Sequence, residues 1–258
     1  MDLNLTGKVT VITGGTAGIG EACVLAFLQE GCKVAVCGRS QENLERLQTN
    51  LKAQGYEILI YKADVSKQQE IKEFAHKVYD SYGKIDIWVN NAGISCKARL
   101  IDMAEDDWDK VLDINLKSVF LGAQAAAQYM RKDSGGVIIN ASSYAAVIPS
   151  VGAGAYAASK AAVSSLTRTL AAELAPYNIR VNGYIPGVID TQMNAKRLEV
   201  HAAETIGQIA LNRVGSAKEV ADGIVFLASD AASYITGIDL EISGGKFAVQ
   251  IPRESWQS

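Results

Sequence analysis

Short runs of β-branched and apolar residues alternate along this chain with longer stretches of helical periodicity. The strand-like runs stand at residues 8–13, 33–38, 57–64, 85–92, 136–142, 179–186 and 237–242. Helical patterns lie near 18–30, 41–54, 67–82, 105–131, 155–175 and 216–229. This alternation predicts repeated βαβ units on a parallel sheet. Most of the runs are apolar at consecutive positions, as strands covered on both faces require.

The chain has no internal repeat, low-complexity run or linker that would divide it. Its 258 residues are enough for one sizeable α/β core, so we predict a single domain over residues 1–258. The least regular stretch follows the sixth strand, and a long excursion there is typical of a functional lid, which we place at about 188–213. A tail at 247–258 is predicted to pack Phe247, Ile251 or Trp256 at a subunit interface or over a substrate cleft.

Charge and composition exclude several classes of function. A net charge of −3 gives no field to collect nucleic acid or an anionic membrane. No signal-like segment and no apolar run of about 18 residues is present, so we expect a cytoplasmic protein without a membrane partner. The four cysteines form no CxxC pair and no ligand spacing with histidine, so we expect neither a metal site nor a disulfide framework.

The first strand ends in TGGTAGIG, Thr13 to Gly20, directly before a helix. Glycines let a ligand approach the main chain, and the helix that follows presents free N–H groups suited to a pyrophosphate. In isolation the cluster is also compatible with a tight strand-to-helix turn.

The spacing TGxxxGxG resembles that of the short-chain dehydrogenase/reductase family. Further motifs of that family occur in register over residues of about 5 to 246: Asp64-Val65, Asn90-Asn91-Ala92-Gly93, PGxxxT from Pro186 to Thr191, and GIDLEISGG at 237–245. The resemblance implies a single Rossmann-type, doubly wound domain. Its seven-stranded parallel sheet would have the order 3-2-1-4-5-6-7, with helices on both faces and a small substrate lid. It also implies a homotetramer, or a dimer, packed through the 105–131 and 155–175 helices and the last strand.

Tyr156 and Lys160 interrupt a run of small residues in GAYAASKAA. They could be a packed ring and a solvated charge, but in the family this pair is catalytic, together with a serine 13 residues earlier, here Ser143, and with Asn115. Reduction of a ketone leaves an oxygen that must be protonated, and the reverse reaction needs a base. Lys160 lies on the same helix face as Tyr156, and its charge should lower the tyrosine pKa from about 10.

The resemblance assigns each member of the catalytic set a place. Ser143 would hold the substrate oxygen, and Lys160 would also bond the nicotinamide ribose. Asn115 would shape its helix so that a backbone carbonyl holds a water near the lysine.

The resemblance also assigns the cofactor residues: Gly14, Thr16, Ala17, Gly18, Ile19, Gly20, Arg39, Ser40, Asp64, Val65, Asn91, Ala92, Gly93, Tyr156, Lys160, Pro186, Gly187, Ile189 and Thr191. Family members that use NAD usually carry an acidic residue where this chain has Gly38. Arg39 could pair with a 2′-phosphate, assisted by Ser40, so NADP is preferred over NAD. Ala17 stands against that choice, because some NADP-binding members have a basic residue there.

The expected substrate is a ketone or secondary alcohol held by Ser95, Ser143, Ala145 and Met193. A 3-oxoacyl-(acyl-carrier-protein) reductase is one alternative, although Ser134 and Tyr177 stand where such enzymes tend to have basic residues. Arg131 and Lys132 lie near enough in sequence to keep it open.

A sugar or polyol dehydrogenase is a further alternative. Lys196, Arg197 and His201 could favour an anionic substrate, but a solvated lid face explains them more simply. A serine hydrolase is disfavoured because GxSxG is missing, and a non-catalytic dinucleotide-binding regulator because the catalytic set is intact.

Overall fold

A seven-stranded sheet runs through the computed structural model, which describes residues 3–256. The strands are β1 Val9–Thr13, β2 Lys33–Gly38, β3 Ile58–Lys62, β4 Ile87–Asn90, β5 Gly136–Ala141, β6 Ile179–Pro186 and β7 Asp239–Ile242. Every neighbouring pair is parallel, and the order is β3-β2-β1-β4-β5-β6-β7. The predicted fold class and strand order are confirmed. Residues 1, 2, 257 and 258, which fall within the predicted domain and tail, lie outside the described residues.

Eight α-helices are described. They are α1 Gly18–Gln29, α2 Gln41–Ala53, α3 Gln68–Tyr82, α4 Glu105–Leu112, α5 Ser118–Met130, α6 Gly154–Leu174, α7 Ala195–Ile206 and α8 Ala217–Ala228. Phe27 of α1 and Ile224 of α8 belong to the hydrophobic cluster on one face of the sheet, and Phe74 of α3 and Met130 of α5 to the cluster on the other. Burial on both faces explains why the strand sequences are apolar at consecutive positions.

The single helix predicted over 105–131 is wrong in one respect. A π-helical turn, Asp113–Lys117, separates α4 from α5. Such turns are rare inside helices and are often found at functional sites. Hydrophobic periodicity is nearly the same on both sides of the turn, so it gave no sign of the interruption.

The lid segment also differs from the expectation of irregular structure, because it contains α7. The residue His201 has non-helical backbone angles, φ −129° and ψ 32°, so α7 is kinked near its middle. Its residues include good helix formers such as alanine, lysine, arginine and leucine, but the kink breaks the periodicity that would mark the helix in the sequence.

The topology decides where a ligand can bind. In open α/β sheets, the crevice lies beyond the carboxyl ends of the strands, where the strand order reverses. Here that point lies between β1 and β4, and the segments following β1, β4, β5 and β6 all begin at this edge. Within residues 3–256, no helix is long and apolar enough to cross a membrane, and no cluster of potential metal ligands occurs.

Candidate active site

The glycine-rich loop between β1 and α1 forms one wall of this crevice. Gly14 has a positive φ of 67°, and a Cβ on Gly20 would collide with the Gly14 carbonyl oxygen. No described side chain caps α1, whose N-cap Ala17 is exposed, so the first N–H groups of the helix remain available as donors. This set of donors fits the pyrophosphate of a nicotinamide dinucleotide.

The turn after β4 is fastened to this loop by Asn91. Its Nδ2 donates to the carbonyl oxygens of Thr13 and Gly14, at 3.1 Å each, and its Oδ1 accepts from the Tyr184 hydroxyl at 3.0 Å. Thr191 reaches the loop from the other side, since a Cβ on Gly18 would lie 3.3 Å from its Cγ2. The predicted cofactor residues from three separate segments therefore meet around the start of α1.

The other predicted cofactor residues flank this centre. Ala92, Gly93, Pro186 and Gly187 are in the turns that follow β4 and end β6, whereas Val65 and Ile189 are buried and can offer only backbone atoms. Asp64 accepts from the Ser66 N–H and hydroxyl at 2.9 and 2.8 Å. Burial raises its pKa, but these bonds and the charges of Arg39 and Lys67 outweigh burial and lower it.

Two arginines lie near the turn after β2, where the sequence predicted that the adenosine of the cofactor binds. Arg39 is exposed and lies close enough to influence Asp64, while Ser40 accepts from Asn43 N–H at 3.2 Å as the N-cap of α2. Arg46 was missed in the sequence. Its Nη2 donates to the Thr16 carbonyl oxygen at 2.7 Å and is 3.4 Å from Glu21 Oε2. No motif or spacing marked it in the sequence, because Arg39 precedes α2 whereas Arg46 lies within that helix.

Asn115 occupies the middle of the π-helical turn and is fully buried. Its Oδ1 accepts from Ile94 N–H at 2.8 Å, and its Nδ2 donates to the Ile94 carbonyl at 2.9 Å and to Ser159 Oγ at 3.1 Å. Ser159 in turn donates to the Tyr156 carbonyl at 2.6 Å. The side chain thus joins the turn after β4 to the helix that carries Tyr156.

Ser143, Tyr156 and Lys160 come together at the end of β5. Ser143 lies close enough to Tyr156 to lower the pKa of its phenol, and Ser143 Oγ accepts from Ala145 N–H at 3.2 Å. Lys160 Nζ donates to the Ala141 carbonyl at 2.7 Å and lies 5.8 Å from the centre of the Tyr156 ring. Asn115 lies beside them, since a Cβ on Gly93 would be 3.4 Å from Asn115 Oδ1 and 3.6 Å from Lys160 Nζ.

The pKa values in this group differ from those predicted from the sequence. Burial raises the pKa of Tyr156; the Ser143 hydroxyl lowers this pKa by less, and the nearby Tyr144 raises it further. Burial also lowers the pKa of Lys160 from 10.5 to about 8. The lowering of the tyrosine pKa that the sequence led us to expect from Lys160 is not found, because burial is the largest influence on Tyr156 and the charge of Lys160 is not among the influences on it.

The predicted substrate residues do not all lie at one site. Ala145 is buried, whereas Ser95 and Met193 are exposed. Beside them, a cleft of about 520 Å³ opens between the turn after Ser143, helix α7 and the tail, and Tyr144, Arg197, Lys246 and Phe247 are among its lining. Among the described residues lining this cleft, Ser95, Ala145 and Met193 do not occur.

The tail covers part of this cleft. Phe247 and Ile251 line it, the rings of Phe247 and Tyr144 are 6.0 Å apart, and Trp256 Nε1 donates to the Ala210 carbonyl at 3.1 Å. The tail thus packs over a cleft, and that this cleft receives the substrate stays a prediction. Its sequence gave no indication of which cleft or which partner residues.

The model of the short chain dehydrogenase family matches residues 8–201. The chain belongs to the short-chain dehydrogenase family. The resemblance stated from the motifs is thereby confirmed, and with it the assignment of the chain as an oxidoreductase.

Relatives of this short-chain dehydrogenase match it almost from end to end. A 3-oxoacyl-(acyl-carrier-protein) reductase of Thermotoga maritima is 44% identical over 243 residues, 94% of this chain and 99% of that protein. A 3alpha-hydroxysteroid dehydrogenase of Mediterraneibacter gnavus is 39% identical over 251 residues, 95% of this chain and 98% of that protein. The crystal structure of a short-chain type dehydrogenase/reductase from Mycobacterium marinum superposes with a TM-score of 0.92 at 36% identity, covering 96% of this chain and 99% of that one.

Proposed function

We propose that this short-chain dehydrogenase uses NADPH to reduce the ketone of a 3-oxoacyl compound, with Tyr156 as the proton donor. The observation that carries the proposal is the proximity of Ser143, Tyr156 and the buried Lys160: Ser143 influences the pKa of the Tyr156 phenol, and Lys160 Nζ is 5.8 Å from its ring. A serine hydroxyl close to a phenol is suited to holding and protonating a carbonyl oxygen.

The cofactor, when bound, supplies the hydride that reaches the carbonyl carbon. Ser143 holds the carbonyl oxygen next to the Tyr156 phenol, which gives its proton to that oxygen and becomes a phenolate. Burial raises the pKa of Tyr156, so the phenol carries the proton that this step needs. Lys160 stabilises the phenolate by its charge, and Asn115 positions α6 through Ser159.

NADP is the proposed cofactor because two arginine side chains lie where the adenosine is expected to bind. Arg39 is exposed after β2, and Arg46 reaches the glycine-rich loop at Thr16. Gly38 stands where an acidic side chain would repel a 2′-phosphate. A guanidinium donates to a phosphate through paired N–H groups, so Arg39 can supply the preference.

The acyl substrate is proposed from the relative in Thermotoga maritima, whose name states a 3-oxoacyl group on acyl carrier protein. A second observation supports a carrier-protein surface. The Arg131 guanidinium lies 5.3 Å from the centre of the Tyr177 ring, so α5 brings a cation to the position where a basic residue was expected after α6. Lys132 follows it, and together they present positive charge to an acidic carrier protein.

The homotetramer, or dimer, and the cytoplasmic location stay predictions. For assembly, the support is the exposure of apolar side chains on the expected surfaces, namely Phe120 on α5 and Tyr234 and Ile238 before β7. Exposed apolar patches of this kind are common at protein interfaces.

The test follows nicotinamide absorbance with a 3-oxobutanoyl thioester, ethyl 3-oxobutanoate and a 3-oxosteroid, each with NADPH and NADH. Tyr156→Phe should lower kcat by about 10²–10⁴, as loss of a general acid does, and leave NADPH binding measured by fluorescence intact. Tyr56→Phe, between α2 and β3, is the control. Full turnover by Tyr156→Phe would contradict the mechanism, and equal rates with NADH would contradict the role of Arg39.

A further inference from the structure

Three cationic side chains line this cleft, of which Arg253, in the tail, is exposed and the other two are partly buried. Arg197 comes from α7 in the lid, and Lys246 directly precedes the tail. Arg197 is held in place because its Nη1 donates to the Tyr144 hydroxyl at 2.6 Å and its Nε to Thr205 Oγ1 at 3.3 Å. It is partly buried, while its neighbour Lys196 is exposed. The lid therefore turns one of its cations inward.

Lys246 is fixed in a similar way. Its Nζ donates to Gln208 Oε1 at 2.8 Å and lies 5.5 Å from the centre of the Tyr144 ring. Burial, followed by the charge of Arg197, lowers its pKa, which shows that the two cations are close enough to repel each other. Each still has N–H donors beyond those used in these bonds.

Neither cation has an acidic partner among residues 3–256. The ion pairs of that part of the chain include neither Arg197 nor Lys246. Glu204 also lines the cleft, but its carboxylate is 3.5 Å from His201 Nδ1 instead. Two partly buried like charges without a counterion destabilise the fold, so a bound anion would reduce the repulsion between them.

The pair is also close to the proposed reaction. Tyr144 directly follows Ser143 in the chain, and it influences the Tyr156 phenol on one side while accepting from Arg197 on the other. The cleft that holds Arg197 and Lys246 therefore begins at the residue next to Ser143.

We propose that Arg197 and Lys246 form an anion subsite that binds a carboxylate on the oxo substrate. The proposal rests on ketone reduction at Tyr156 and narrows its substrate class. The carboxylate fits because a guanidinium and an ammonium donate to its two oxygens together. It belongs either to a free 3-oxo acid or to the far end of a 3-oxoacyl chain, and the chemistry at the subsite is the same.

The decisive measurement compares 3-oxobutanoate with ethyl 3-oxobutanoate, which have the same ketone and differ in the carboxylate. We expect kcat/KM of the wild type to be higher for the acid. Arg197→Gln and Lys246→Gln should each lower the acid-to-ester ratio of kcat/KM about tenfold or more, whereas Lys196→Gln, on the exposed side of the same helix, should keep it. A loss of folded enzyme lowers kcat/KM for the acid and for the ester equally, so it does not change their ratio. Melting temperatures of the variants also monitor folding.

Inhibition by a carboxylate that the enzyme cannot reduce tests the same subsite by binding alone. Butanoate should inhibit reduction of the ester more strongly than butanamide, and Lys246→Gln should remove the difference. A second pair, 3-oxohexanoyl thioester with a methyl end and the same thioester with a terminal carboxylate, shows which source of carboxylate the cleft accepts.

The outcomes separate the two proposals. If neither acid nor ester oxidises NADPH, the proposed function fails. If the ester is reduced but no carboxylate form is preferred, or the ratio is unchanged in Arg197→Gln and Lys246→Gln, the subsite is wrong while the function stands. An equal fall of the ratio in Lys196→Gln would show only a general surface charge effect and would also overturn the subsite.

Discussion

Lys160 is a lysine placed where charge is costly. Its side chain is 3% exposed, and burial lowers its pKa to about 8. It donates to the Ala141 carbonyl, yet no described carboxylate is paired with it. The fold therefore accepts a cost in stability in order to hold a cation behind Tyr156, which is common at functional sites.

That cost should be visible as a dependence of stability on pH. The folded pKa of about 8 lies below the ordinary value of 10.5, so between these values the unfolded chain binds more protons than the folded one. The cost is fully present below pH 8 and disappears as pH rises toward 10.5. The free energy of unfolding of the wild type should therefore rise over this window, by roughly 3 kcal/mol, relative to Lys160→Met.

Denaturant titrations of both proteins from pH 7 to 10.5 measure this difference. Lys196→Met, at an exposed lysine of α7, serves as the control. If the difference between the wild type and Lys160→Met does not change with pH, Lys160 is not desolvated as the structure indicates.

At the scale of elements, the π-helical turn and Asn115 form one unit. The turn directs the amide at Ile94, and the amide fixes the segment after β4 against α6. The asparagine itself was identified from its motif. The turn was not, because a π-helical insertion changes hydrogen bonding by one residue and leaves the apolar pattern almost unchanged.

Asn115→Ala should therefore affect stability and catalysis together. It leaves the Ile94 N–H without its partner, which costs about 1–3 kcal/mol in a buried site. We expect kcat for ketone reduction to fall at least tenfold, because α6 and Tyr156 lose their support, while KM for NADPH changes little. If Asn115 had only a structural role, Asn115→Ala would lower the amount of folded enzyme, but kcat per folded molecule would stay unchanged. Asn43→Ala, on the exposed face of α2, is the matched control.

For the whole molecule, local patterns predicted the sheet well and the cleft poorly. The seven strands follow from runs of four to eight residues, and the motif positions at the ends of β1, β4, β5 and β6 converge because parallel strands end at one edge. The cleft depends on contacts among Tyr144, Arg197 and Lys246, which are far apart in the chain. No periodicity or motif links such residues, so Arg197 was interpreted as a solvated charge although the structure turns it inward.

The tail is the last part of the molecule whose role can be tested directly. Phe247 packs near Tyr144, Pro252 is buried, and Trp256 is bonded to Ala210 in the lid. Deletion of residues 247–258 should therefore release the lid, raise KM for the ketone at least tenfold and lower the melting temperature, with a smaller effect on KM for NADPH. Steady-state kinetics, calorimetry and light scattering after gel filtration measure these quantities, with the exposed Glu254→Ala as a control. If the deletion changes the oligomer size but leaves the kinetics unaltered, the tail packs at a subunit interface and does not cover the substrate cleft. A tail that covers the cleft must affect substrate binding whether or not the subunits separate.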